Sequence, residues 1–97
     1  MKLRFTSRAT RDLAEIAEYV HTRNPSAALA VRAAILRSLQ NLVRFPAIGR
    51  PQNVEGVRKL VTSSYRYLIY YMIDEGAEKV VILAIQHPAR RREYRDL

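Results

Sequence analysis

The sequence predicts an α+β domain of order β-αα-βββ, an antiparallel sheet packed on an N-terminal helical hairpin and closed by a short basic C-terminal segment. Three observations carry that expectation. Residues 7–43 hold two apolar stripes at helical spacing, separated by Asn24-Pro25. The second half holds three runs rich in β-branched and aromatic residues, separated by turn signals. Ninety-seven residues suffice for one core and not two, which makes 1–97 a single domain.

Lys2 to Phe5 alternates polar and apolar residues and reads as a short first strand, whose place in the sheet stays open. Thr6 or Ser7 can cap the first helix, in which Ala9, Leu13, Ile16, Ala17 and Val20 form one stripe. Asp12, Glu15 and Glu18 then fall among arginines on the solvent side, and the helix ends near Thr22 to Asn24. Asn24 caps the second helix and Pro25 suits its first position. Ala28, Val31, Ile35, Leu39 and Leu42 run down one face, widened by Leu36 and Val43. Joined by so few residues, the helices should lie antiparallel.

Phe45-Pro46 ends the second helix, because proline lacks the donor and clashes with the preceding turn. FPAIGRP must then be a fixed loop, and Gly56 is suited to a positive-φ corner. Val57 to Thr62 alternates as a strand, with Ser63-Ser64 as a short turn after it. The run from Tyr65, YRYLIYY, contains four of the six tyrosines and should be the central strand, extending to about Ile73. Alternation divides it into Tyr65, Tyr67, Ile69 and Tyr71 on one face and Arg66, Leu68, Tyr70 and Met72 on the other. Leu68, Tyr70 and Met72 are expected to pack on the helices, facing Leu13 and Leu39, which leaves the first set as an open surface for a partner. Asp74 to Ala77 signals a hairpin, and Lys79 to Gln86 is nearly all apolar, as in a buried strand. After His87-Pro88 the tail ARRREYRDL is basic.

Seventeen basic residues, fourteen of them arginine, against nine acidic ones give a net charge of +8. That balance suits a polyanionic partner, either nucleic acid or an acidic protein segment. With no cysteine and two histidines, neither a disulfide frame nor a histidine-rich zinc site is expected. MKLRFTSR lacks an apolar run of signal-peptide length and no segment approaches a membrane span, so the expectation is a cytoplasmic protein without membrane contact. There is no Gly-rich phosphate loop, nucleophile elbow or HExxH motif, and the carboxylates lie on helix surfaces or in turns. One constellation is left: Arg58, Lys59, Arg66, Tyr67, His87, Arg90 and Tyr94, all from the sheet or its exit. Arginines bind phosphate while His or Tyr moves protons or stacks on a base, as metal-free RNA cleavage requires. Taken alone, His87 beside Pro88 reads as a strand-end residue hydrogen-bonded to backbone.

Nearly end to end, the chain resembles the RelE/ParE-type toxins of bacterial type II toxin–antitoxin pairs. The stretches that carry the resemblance are SRATRDLAEIAEYV, LVRFPAIGRP, VRKLV and YRYLIYYMIDEGAEKVVILAIQHPARR. It implies the β-αα-βββ toxin fold, a hetero-oligomer with a small antitoxin, and growth inhibition when the toxin is free; no cofactor is expected. RelE-like members cut mRNA in the ribosome with basic residues on the sheet and near the C-terminus, whereas ParE-like members are associated with poisoning DNA gyrase. The RNase branch typically carries Arg-Leu-Val-Tyr on the central strand. Aligned on Leu68-Ile69-Tyr70, that pattern puts Tyr67 at the arginine position, with Arg66 one place off and on the other face. The exit QHPAR is closer to the His-x-Ala-Arg ending of ParE-like members, while RRREY resembles the RelE tail and matches Tyr94 to its late tyrosine.

The balance favours the ParE-like branch, a gyrase poison with no cleavage activity implied. Tyr65, Tyr67, Ile69 and Tyr71, with Arg58, Arg90, Arg91 and Arg92, would then bind the partner. The alternative is a metal-independent, ribosome-dependent mRNA endonuclease using Arg58, Arg90, His87 and Tyr94. A third reading is a non-toxic module that only pairs with an antitoxin.

Overall fold

A computed structural model describes residues 1–88. Strand β1 (Lys2–Phe5) leads into helix α1 (Ser7–Arg23), then α2 (Pro25–Arg44) and a single 3₁₀ turn, Pro46–Ile48. Four strands follow: β2 (Arg50–Pro51), β3 (Val57–Val61), β4 (Leu68–Asp74) and β5 (Lys79–Gln86). Their order in the sheet is β1-β5-β4-β3-β2. No helix among the described residues is long and apolar enough to cross a membrane.

Local chemistry sets the helix boundaries where the sequence puts them. The Thr6 side chain accepts a hydrogen bond from the Ala9 N–H, and that of Asn24 accepts from Ala27, with Pro25 in the first turn of α2. Gly56 takes φ +80°, the corner expected of it. The sheet, however, is mixed. β3, β4 and β5 form the antiparallel meander, but β1 joins the far side of β5 in parallel, with Leu3 opposite Val80. The helical hairpin is the crossover between β5's neighbour and the meander, and two-residue β2 extends the opposite edge against β3.

One face of the sheet packs on the helices. Its core joins Ala9, Val31, Ile35, Leu39 and Leu42 to Tyr67, Ile69, Tyr71, Val80, Ile82 and Ile85. A second, smaller cluster on the other face holds Val57, Tyr70 and Ala84, with Leu68 and Leu83 against it. The expected face assignment of the tyrosine strand is therefore reversed. Tyr67, Ile69 and Tyr71 lie between sheet and helices, whereas Leu68, Tyr70 and Met72 point away from them. Alternation separates two faces but carries no information on which one the helices cover.

The start of the strand also differs from expectation. The β3–β4 connection takes Ser63 to Arg66, and Tyr65 and Arg66 both adopt left-handed backbone, with φ 64° and 55°. Two successive left-handed residues match the twist of a tight hairpin, a place usually filled by Asn-Gly. Thr62 holds the turn: its hydroxyl donates to the Ser64 carbonyl and accepts from the Tyr67 N–H, and its own N–H donates to the Tyr67 carbonyl. Tyr65 therefore sits on an exposed tip, not on the sheet surface.

Strand β5 explains its own unbroken apolar run. Tyr70 pairs with Ala84 but Tyr71 pairs with Ile82, so Leu83 is an extra residue and the strand bulges. The bulge turns both Ile82 and Ile85 toward the helices.

Candidate functional site

Two hydrogen-bonded fasteners fix the geometry of the molecule's two ends. The first lies where β5 outruns β1. Thr6 donates its N–H to the Ile82 carbonyl and its hydroxyl to the Leu83 carbonyl, so one residue caps α1 and pins it to the bulge. Two turns on, Asp12 Oδ2 accepts from the Ile85 N–H at 3.0 Å and stands 3.5 Å from Arg8 Nε. Asp12 was expected on the solvent side of α1. It instead satisfies a strand-edge donor that β1 is too short to reach, a demand set by backbone pairing and invisible in helical periodicity.

The second fastener holds the FPAIGRP loop. Tyr71 Oη donates to the Pro46 carbonyl at 2.6 Å and accepts from the Gly49 N–H at 2.8 Å. Arg58, opposite Tyr71 in the ladder, donates through one guanidinium nitrogen to the carbonyls of Ala47 and Gly49, at 3.2 and 2.7 Å. Burial pushes the Tyr71 pKa above 10.0, with the Gly49 N–H and the Arg58 charge pulling the other way. The phenol is thus a neutral donor and acceptor in the loop, and Arg58 serves the same loop.

Between the first fastener and the sheet exit lies a cavity of about 370 Å³, lined by Asp12, Glu15, Ile16, Tyr19, Tyr67, Ile85 and His87. The His87 ring meets Tyr67 edge to face, with centroids 5.4 Å apart and planes at 89°, and meets Tyr19 at 6.0 Å and 65°. Desolvation raises the Tyr67 pKa above 10.0, followed by repulsion from the phenolate forms of Tyr19 and Tyr65. Tyr67 is only 3% exposed. It can stack and pack here, but a phenol whose pKa is raised above 10.0 is a poor base at neutral pH.

The proposed RNA-cleaving constellation is not assembled among the described residues. Tyr67 and His87 meet, in the company of α1. Arg58 pairs with Tyr71, four residues along β4 from Tyr67, which is about 13 Å at strand rise. Lys59 pairs with Tyr70, on the face away from the helices, and Arg66 sits in the hairpin turn. Of the expected partner-binding residues, Tyr67, Ile69 and Tyr71 are core, and Tyr65 is exposed at the turn. Arg90, Arg91, Arg92 and Tyr94 lie outside the described residues. No group of three or more His, Asp or Glu side chains among the described residues is placed to hold a metal ion.

A further surface went unread in the sequence. Helices α1 and α2 form an apolar groove of about 500 Å³, with Leu13, Ile16, Val20, Ala28, Leu29 and Leu36 among its walls and Glu18, His21 and Arg32 also lining it. Leu29 is 75% exposed and Leu36 39% exposed. The two leucines are seven residues apart, off the main buried stripe, and that spacing was the available signal. Small Ala17 and Ala28 line the groove between the larger side chains.

Comparison with known proteins gives consistent relatives. A family model described as the ParE toxin of the type II toxin–antitoxin system parDE matches residues 3–92. A candidate toxin of Sinorhizobium fredii, Y4kP, is 37% identical over 86 residues, covering 89% of this chain and 86% of that protein. Among solved structures, the chromosomal ParDE toxin–antitoxin system from P. aeruginosa superposes with a TM-score of 0.76 at 27% identity, over 90% of this chain and 95% of that one. The toxin–antitoxin complex RelBE2 from Mycobacterium tuberculosis superposes with a TM-score of 0.59 at 30% identity, over 89% and 95%.

Proposed function

This chain belongs to the ParE toxin family of type II toxin–antitoxin systems, and from that premise we propose that it arrests growth in the cytoplasm by poisoning DNA gyrase when its antitoxin is absent. The observation that carries the choice of target is Tyr67. RNase relatives hold an arginine at that position, and here a tyrosine is buried between sheet and helices. Arg58, opposite Tyr71 on that face, is bonded to the carbonyls of Ala47 and Gly49. The described part of the sheet thus offers no cluster of free cations to a scissile phosphate, which supports action by protein binding over cleavage.

The antitoxin docks, in this reading, as an amphipathic helix whose apolar side chains enter the α1–α2 groove against Leu29 and Leu36. Net charge of +8 favours an acidic partner and makes the association rate fall with salt. Two measurements test the proposal. Purified protein in molar excess should block gyrase supercoiling or trap cleaved DNA; full supercoiling at high excess removes gyrase as the target. Leu29→Glu should abolish co-purification with the protein encoded beside it, and intact co-purification removes the groove as the docking site.

The likeness to RelBE2 favours one second reading, ribosome-dependent cleavage of mRNA. Cleaved ribosome-bound transcripts during growth arrest would select it, and intact transcripts would reject it.

A further inference from the structure

We infer that the cavity between α1 and the end of β5 receives a basic side chain, an arginine or lysine, of an otherwise acidic partner protein. The walls state the chemistry. Asp12 and Glu15 lie three residues apart on α1 and both line the cavity, facing the rings of Tyr19, Tyr67 and His87. Carboxylates repel an anion, and an apolar plug would strip their water without returning a bond. A guanidinium or ammonium group answers both kinds of wall, as ion-pair partner of the acids and as cation over the rings.

Tyr19 already displays that second mode. The Arg23 guanidinium sits 4.4 Å from its ring centroid, on the side of the ring shared with Thr22 and Glu18. Asp12 is anchored by the Ile85 N–H and stands near Arg8, which fixes its carboxylate in place. Glu15 is exposed and makes no ion pair among the described residues. At about 370 Å³ the cavity lies in the size range of small-ligand pockets, ample for a single side-chain head group.

The rest of the molecule says what kind of partner gains from it. A surface of net charge +8 attracts acidic chains broadly and gives them no register. An isolated basic residue on such a partner is repelled across most of that surface and accepted here. The cavity therefore acts as a register pin, where attraction to one site and repulsion elsewhere work together. The inference concerns this cavity alone and stands whichever cellular target the protein has.

The test uses the full chain and two probes of equal shape, N-acetyl-arginine amide and N-acetyl-citrulline amide, titrated at physiological salt. Ring signals of Tyr19 and His87 are followed by ¹H–¹³C correlation spectra. The arginine probe should shift them saturably, and the uncharged probe should bind about tenfold more weakly, as loss of one cation–π contact and one ion pair implies. Glu15→Gln, at an exposed position that leaves the fold intact, should weaken the arginine probe severalfold, and Tyr19→Leu should do likewise. Equal binding of both probes, shifts that never saturate, or a Glu15→Gln protein that binds as well as the parent would each overturn the inference.

Discussion

Replacing Gly49 by alanine is expected to cost the fold about 2–6 kcal/mol, and the reason is space alone. Gly49 has φ −75° and ψ 156°, a conformation open to any residue. A Cβ there would stand 2.6 Å from Tyr71 Oη, 2.7 Å from Tyr71 Cε1 and 3.0 Å from the Lys59 carbonyl. None of these can yield cheaply. Tyr71 is fully buried, its hydroxyl is bonded on both sides, and the carbonyl belongs to the β3 backbone. Forcing an extra methyl into such packing costs about 1–3 kcal/mol, and displacing the phenol forfeits two hydrogen bonds at about 0.5–1.5 kcal/mol each. The assay is urea unfolding followed by circular dichroism, with the midpoint compared at constant slope. Tyr71→Phe supplies the second arm. It removes Oη and both bonds, yet it also removes the tightest contact facing the new Cβ. The double variant should therefore be more stable than the sum of the singles predicts, by about 1 kcal/mol. A Gly49→Ala protein within about 0.5 kcal/mol of the parent, or strict additivity in the cycle, would refute the account of this loop.

Three other outcomes follow from features already described. Arg66 at φ 55° carries the strain of a left-handed non-glycine residue, so Arg66→Gly should raise stability by about 0.5–1 kcal/mol in thermal unfolding, and a loss would show that the side chain holds the turn. Asp12→Ala leaves the Ile85 N–H without its acceptor and should cost about 1–2 kcal/mol in denaturant midpoint, while Asp12→Asn, which keeps an acceptor oxygen, should cost less. Both Tyr67 and Tyr71 have pKa values raised above 10.0, so the fold prefers their neutral forms. The stability this contributes is complete below pH 10 and is lost as pH rises through the raised values. Absorbance titration near the phenolate band should show late ionisation of Tyr67 and Tyr71 accompanied by alkaline unfolding.

How much of this was legible in the chain depends on the range over which each signal acts. Helix limits are local, and Thr6, Asn24-Pro25 and Phe45-Pro46 mark them within a residue. Strand β5 was recognisable by composition, but its bulge was not. From Val80 to Ile85 every position is apolar enough for either face, so a slip of one residue leaves no trace in the pattern. The β3–β4 turn was misplaced for a related reason. Tyr65 and Arg66 are residues that favour strands or helices, and neither carries the Asn or Gly mark of left-handed backbone. The hydroxyl and N–H of buried Thr62, closing the turn from below, compensate for that mismatch.

The face reversal has the largest consequence for function. With four tyrosines in seven residues, an adhesive sheet surface was the natural reading. The helices occupy that surface, and each tyrosine has a different task. Tyr71 ties down the loop before β2, Tyr67 forms a wall of the terminal cavity with His87, Tyr70 fills the opposite face, and Tyr65 tops a strained turn. With the helix-facing side of the sheet spent on core, the proposed recognition sites lie where the layers end. Here those places are the groove along the outer side of the helical hairpin and the aromatic cavity at the β5 exit. One is apolar and elongated, the other acidic and small, so a single partner segment cannot satisfy both with the same chemistry. A partner that engages both must carry an amphipathic helix and, apart from it, a basic anchor. Binding energy then splits between burial at the groove and registry at the cavity, and Leu29→Glu and Glu15→Gln should separate the two: the first removes affinity at any salt, the second removes a smaller, salt-sensitive part.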